Sequence, residues 1–150
     1  MFKGFEVEFE SVNPTTRMAR VCSAVGTFSA RWMGNDVEAA ELGKSQSVEL
    51  TTQPTAVWGV DITQGSPDEP DAIVGDDQGC TFVGRVLGVE DGIAHYGDGG
   101  RFIPVHDLDD GIFYLRVGDF ALMFDSEGLA ADAAGRRVRV RVKQVELWPQ

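Results

Sequence analysis

Lysine, histidine, cysteine and long apolar runs are all scarce in this 150-residue chain, and each shortage removes a class of reading. No stretch approaches the roughly 20 apolar residues that a membrane-spanning helix needs. The amino terminus, MFKGFEVEFE, alternates like a strand where a secretory leader would be continuously apolar. The expected compartment is the cytoplasm, with no membrane partner. Two cysteines, Cys22 and Cys80, are too few for a disulfide framework; free thiols are the default, and sequence alone leaves their pairing open.

The two histidines, His95 and His106, stand near Asp98, Asp107, Asp109 and Asp110, but the spacing fits no metal motif. A calcium loop counted from Asp107 would need glycine at its sixth place and an acid at its twelfth, where the chain has Ile112 and Gly118. No metal or cofactor is expected. Ser45 and Ser47 lack the flanking glycines of a nucleophile elbow. That leaves Cys80, with His95 or His106 as its base, as the better thiol candidate. The GDGG tract at 97–100 runs into Phe102-Ile103-Pro104 and not into a helix, so the usual phosphate cradle is missing. Enzymatic action has no positive support, and a metal- or thiol-dependent enzyme ranks third among the readings.

What the chain does have is acid. The net charge is −11, and residues 61–80 hold six acids and no base. Such a charge opposes wholesale attraction to phosphate backbones or anionic lipid. Arginine outnumbers lysine 10 to 3, as a GC-rich, bacterial coding genome would produce.

The dominant pattern is alternation of period two. Phe5, Val7 and Phe9 interleave with Glu6, Glu8 and Glu10, and Val138, Val140 and Val142 interleave with Arg137, Arg139, Arg141 and Lys143, so both ends predict half-buried strands. Opposite charges across paired strands contribute about 0.2–1 kcal/mol per pair, so the glutamates are expected to form a structural ladder with the cations, the terminal strands lying adjacent. Further strand-like runs are separated by Gly, Pro, Asn and Asp turns. Ser126 to Gly135 carries the signals of one short helix, with Ser126 as N-cap and Gly135 as stop. The fold class is mostly β, in small barrel-like units, with two tandem OB- or SH3-like halves as its finer form: an N-terminal half at 1–62, an acidic Pro/Gly-rich loop or linker at 63–79, and an OB-like half at 80–150. GTFSARWMGND at 26–36 resembles GIFYLRVGDF at 111–120 closely enough to raise the question of duplication.

Function follows mainly by elimination. The leading expectation is a non-enzymatic acidic module, of immunity, inhibitor or accessory type, that meets an unidentified and basic protein partner through Asp68, Glu69, Asp71, Asp76 and Asp77, with Trp148 as an exposed anchor. The alternative is an OB-like binder of single-stranded nucleic acid using the stripe Arg137, Arg139, Arg141 and Lys143, with Arg116 and Tyr114 nearby. The overall charge ranks it lower. Exposed strand edges leave a homodimer open.

Overall fold

The computed structural model describes residues 4–91, 110–128 and 133–150 of the chain. It is mostly β. The first unit is a closed barrel of five strands: β1 (Phe5–Val12), β2 (Met18–Ser23), β3 (Gly26–Trp32), β4 (Ser45–Gln53) and β12 (Gln144–Pro149), in the order β1-β2-β3-β12-β4. β12 runs parallel to β3 and antiparallel to β4, and β4 closes on β1. A 3₁₀ turn, Val37–Ala39, lies between β3 and β4, with Asp36 accepting from the Glu38 amide as its cap.

The second unit contains β5 (Ala56–Val57), β6 (Ile62–Gln64), β7 (Ala72–Asp76), β8 (Gly79–Asp91), β9 (Asp110–Val117), β10 (Phe120–Glu127) and β11 (Arg137–Val142). Its order is β5-β10-β9-β8-β11-β6, nearly closed into a second barrel, with β7 attached to β8. The strands are not shared out by chain halves. β5 and β6 join the second unit, and β12 returns to complete the first.

Period-two alternation explains most of this. Phe5, Val7 and Phe9 point into the first barrel with Val21, Phe28, Trp32, Val48 and Leu147, and the Phe9 and Trp32 rings meet edge to face at 5.2 Å. In the second unit Phe82, Phe113, Phe124, Leu115, Val138 and Val140 fill the interior, Phe113 stacking on Phe124 at 5.2 Å. Each fully buried side chain of this size contributes about 1.5–3 kcal/mol. The two interiors form one apolar cluster, and Phe5 of the first meets Phe120 of the second at 5.0 Å.

Three expectations are corrected. β1 and β12 share a barrel but are separated by β4, and the cationic strand β11 lies in the other unit, so Glu6, Glu8 and Glu10 form no ladder with the arginines. The helix expected from Ser126 begins instead as strand: the inward alternation Phe120, Leu122, Phe124 continues to Ser126, which is buried, and this outweighs its capping propensity. Residues 129–132 of that segment lie outside the described residues. Segment 63–79 carries β7, which packs against β3 and donates from the Ile73 amide to the carbonyl of Val25 in the β2–β3 turn (2.9 Å). The similar segments at β3 and β9 occupy different settings, since β3 has a parallel neighbour and β9 has antiparallel neighbours on both sides.

Candidate functional site

A cleft of about 920 Å³ opens where the outer face of β2 and β3 meets the second unit. One end is the β1–β2 loop with Thr15 and Thr16. Their amides both donate to Asn13 Oδ1, at 2.8 and 3.0 Å, which fixes the loop as a tight turn. Arg17 leaves that turn with a φ of 63° and donates through its guanidinium to the carbonyls of Gly34 and Asn35, tying the loop to the end of β3. The floor is Met18 and Arg20 of β2 with Ser29 and Arg31 of β3, the residues that alternate outward while Ala19, Val21, Phe28 and Ala30 point in.

The opposite wall is the β7–β8 turn, Gly75 to Cys80. It approaches the body too closely for side chains: a Cβ on Gly75 would lie 3.0 Å from Phe28 Cα, and one on Gly79 would lie 2.1 Å from the Val142 carbonyl oxygen. Lys143, the single residue between β11 and β12, completes the lining with Gln144 and Val145 at the point where the chain crosses from one unit to the other.

Arg20, Arg31 and Lys143 are exposed and make no ion pair among the described residues. Arg31 is in register with Glu146, but that carboxylate is buried (7% exposed) and accepts from neutral groups: Gln53 Nε2 at 3.1 Å, Thr51 Oγ1 at 3.4 Å and Gln144 Nε2 at 3.5 Å. The acids of the lining are Asp76 and Asp77, and Arg141 already neutralises Asp76. Among the described residues the cleft thus presents three cations in no ion pair, with hydroxyls from Thr15, Thr16 and Ser29, against one unpaired carboxylate. It suits an anion.

The sequence-selected acids and cations meet one another. Arg137 pairs with Asp71 at 2.6 Å, and the same carboxylate accepts the Gly118 amide at 2.8 Å. Arg139 grips Glu69 through two contacts, at 2.5 and 2.9 Å, and Arg141 grips Asp76 through two, at 2.8 and 3.0 Å. The hydrogen bond from Arg141 holds the Asp76 carboxyl at about 2, and the one from Arg139 lowers that of Glu69. Three of the five candidate partner-binding acids are therefore spent inside the molecule, leaving Asp68 and Asp77 outside these pairs. Trp148 is partly exposed (37%), with its indole donating to Thr51 Oγ1 at 2.9 Å. Glu6, Glu8 and Glu10 are exposed on β1, in no ion pair among the described residues.

Cys22 and Cys80 are free, and burial, followed by the charge of Asp76, pushes the Cys80 thiol up to about 12, well away from a nucleophile's range. His95, His106, Asp98, Asp107, Asp109 and the 97–100 tract lie outside the described residues, among which no cluster of three or more metal-ligating side chains occurs. No helix among the described residues is long and apolar enough to cross a membrane.

Sequence reading passed over Arg20, Arg31, Thr15 and Thr16. A signal was present: residues 11–35 contain three arginines and no acid, in a chain of net charge −11. Comparison with protein-family models, curated proteins and solved structures gave no match.

Proposed function

We propose that the first barrel is of OB type and that its cleft binds single-stranded nucleic acid. The observation that carries this reading is the coincidence of the cleft with a particular place in the strand order. Three meandering strands, a short helical turn, a fourth strand, and a last strand inserted between the third and fourth in space describe the OB plan, with β12 as the fifth strand. Barrels of that plan take oligonucleotides and oligosaccharides on the face of strands 2 and 3, between the loops that follow strands 1 and 4. Here that face carries Met18, Arg20, Ser29 and Arg31. The loop after strand 1 supplies Thr15 and Thr16. The connection from strand 4 to strand 5 is the whole second unit, whose β7–β8 turn walls the cleft. Unpaired cations favour the phosphodiester over the neutral sugar chain. None of the described lining residues is aromatic, so backbone contacts dominate and sequence preference is weak.

The test is fluorescence anisotropy of a labelled single-stranded oligonucleotide of about twelve nucleotides, within the span that such folds cover. Binding at low salt should weaken as salt rises, with a slope of log K on log[salt] near −2 for three phosphate contacts at about 0.7 each. Arg20→Gln with Arg31→Gln should remove most of that slope. No binding by the wild-type protein at low salt, or binding indifferent to both substitutions, would overturn the proposal.

A second reading keeps the acidic protein-binding module. Its remaining support is the exposed Glu6, Glu8 and Glu10 row with Asp68, Asp77 and Trp148. It predicts a protein partner whose association slows when Glu6 and Glu8 become glutamine and is indifferent to Arg20 and Arg31.

A further inference from the structure

Beyond the cleft, a row of outward cations continues along β11: Lys143 at the cleft, then Arg141, Arg139 and Arg137 on the same face. Alternate residues on a strand are about 6.8 Å apart, close to the spacing of phosphates on an extended single strand. Each of the three arginines is met by one carboxylate from a short stretch of chain, Glu69 to Asp76, and two of the three contacts are two-pronged, as an arginine–phosphate contact would be. The pairs differ in depth. Arg137 and Asp71 are 17% and 24% exposed, and Asp71 also holds the Gly118 amide, so this pair anchors the segment. The Arg139 side chain is 52% exposed while its partner Glu69 is 20% exposed, and both members of the Arg141–Asp76 pair face solvent, so the arginines, not all of the carboxylates, set the difference. Solvent reaches the arginine of each of these two pairs, so a phosphate can compete with the carboxylate for it.

We infer that the strand-binding surface runs on from the cleft along Arg141 and Arg139, and that Asp76 and Glu69 occupy the places of two phosphates there. The two carboxylate side chains are intramolecular competitors on a backbone fixed by β7 and by the Asp71 anchor, and they limit how far a bound strand extends. The inference rests on the nucleic-acid reading of the cleft. It gives a reason for the three acids, Glu69, Asp71 and Asp76, that face the three arginines of β11.

The experiment compares Glu69→Gln/Asp76→Asn with Glu6→Gln/Glu8→Gln, which removes the same charge from β1, outside the row. Both are titrated with a single-stranded oligonucleotide of about sixteen nucleotides at several salt concentrations. Two added contacts should steepen the slope of log K on log[salt] by about 1.4 and tighten low-salt binding about tenfold in the first variant. The β1 variant should keep the wild-type slope. Adding Arg139→Gln to the first variant should reverse about half of the gain. Equal behaviour of the two charge-matched variants would overturn the inference, because only bulk charge would then be at work.

Should the double variant fold poorly by circular dichroism, Glu69→Gln alone, which does not touch the cleft, should give a slope change of about 0.7; an unchanged slope would overturn the inference. Failure of the cleft reading looks different: the wild-type protein would not bind, or would ignore Arg20→Gln and Arg31→Gln, whatever the row does.

Discussion

Gly26 is where the two units are locked, and replacing it with alanine should cost far more than its position in a surface hairpin suggests. The residue joins β2 to β3 with a φ of 149°, a conformation that side-chain-bearing residues rarely adopt, and a Cβ there would lie 2.0 Å from the Ile73 carbonyl oxygen. Backbone strain contributes about 1–3 kcal/mol. Relief of the clash requires β7 to lift, which breaks the hydrogen bond from the Ile73 amide to the Val25 carbonyl, worth about 1 kcal/mol. It also partly exposes Ile73, which is buried and contributes about 1.5–3 kcal/mol when fully so. The expected loss for Gly26→Ala is therefore about 3–5 kcal/mol. Gly43 provides the control, because its φ of 75° is also left-handed but a Cβ there meets nothing within 4 Å. Gly43→Ala should cost only the conformational term, about 1–2 kcal/mol. Urea denaturation followed by tryptophan fluorescence measures both. The same lift would move the Gly75–Cys80 wall, so Gly26→Ala should weaken anion binding without touching a ligand. A Gly26→Ala loss no larger than that of Gly43→Ala would refute the account of how the units are joined.

Acid should weaken the segment over the cation row. Asp76 is held at about 2 against an ordinary 3.8, and Glu69 is lowered as well, so their contribution to stability is complete above the unfolded carboxylate range and is lost as pH falls from about 4 toward 2. Asp76→Asn should flatten stability against pH in that window, and a curve superimposable on wild type would show that the pair contributes nothing. Cys80, buried and raised to about 12, should resist iodoacetamide at pH 8 in the native protein while the half-buried Cys22 is modified, as read by peptide mass; equal labelling would contradict the burial described. Ser126→Ala should cost about 1–3 kcal/mol, because the buried hydroxyl accepts from Trp58 Nε1 at 3.0 Å and donates to the Gly111 carbonyl at 3.0 Å, and its removal strands both groups. A loss under about 0.5 kcal/mol, the level of an ordinary surface change, would show that other partners replace it.

Alternation was the most legible property of the sequence because it is local. Phe5, Val7 and Phe9 point inward, as do Val138, Val140 and Val142, and neither result depends on which strand lies beside which. Pairing does depend on that. Glu6, Glu8 and Glu10 and the acids at 69, 71 and 76 were equal as partners for the arginines until the return of β12 to the first barrel separated β1 from β11. Ser126 was misread because its signals for capping a helix are local, whereas the interior it faces is built by strands from elsewhere in the chain. The cleft was illegible for the same reason. Arg20 and Arg31 come from neighbouring strands near one end of the chain and Lys143 from the other end, and the wall between them belongs to a segment whose composition alone suggests only a solvated loop.

Net charge misleads about the site because it counts pairs that have already cancelled. Arg137, Arg139 and Arg141 with Asp71, Glu69 and Asp76 sum to zero locally, while among the described residues Glu6, Glu8 and Glu10 on β1 and the cleft cations Arg20, Arg31 and Lys143 are in no ion pair. A uniformly basic face would hold any polyanion in any orientation. In a concave site the three cations act most strongly on what can enter it. Within about 10 Å at 0.1 M salt those local charges act with little interference from the rest of the molecule. On the nucleic-acid reading proposed above, the concavity of the cleft would favour flexible single strands over the stiff, highly charged duplex.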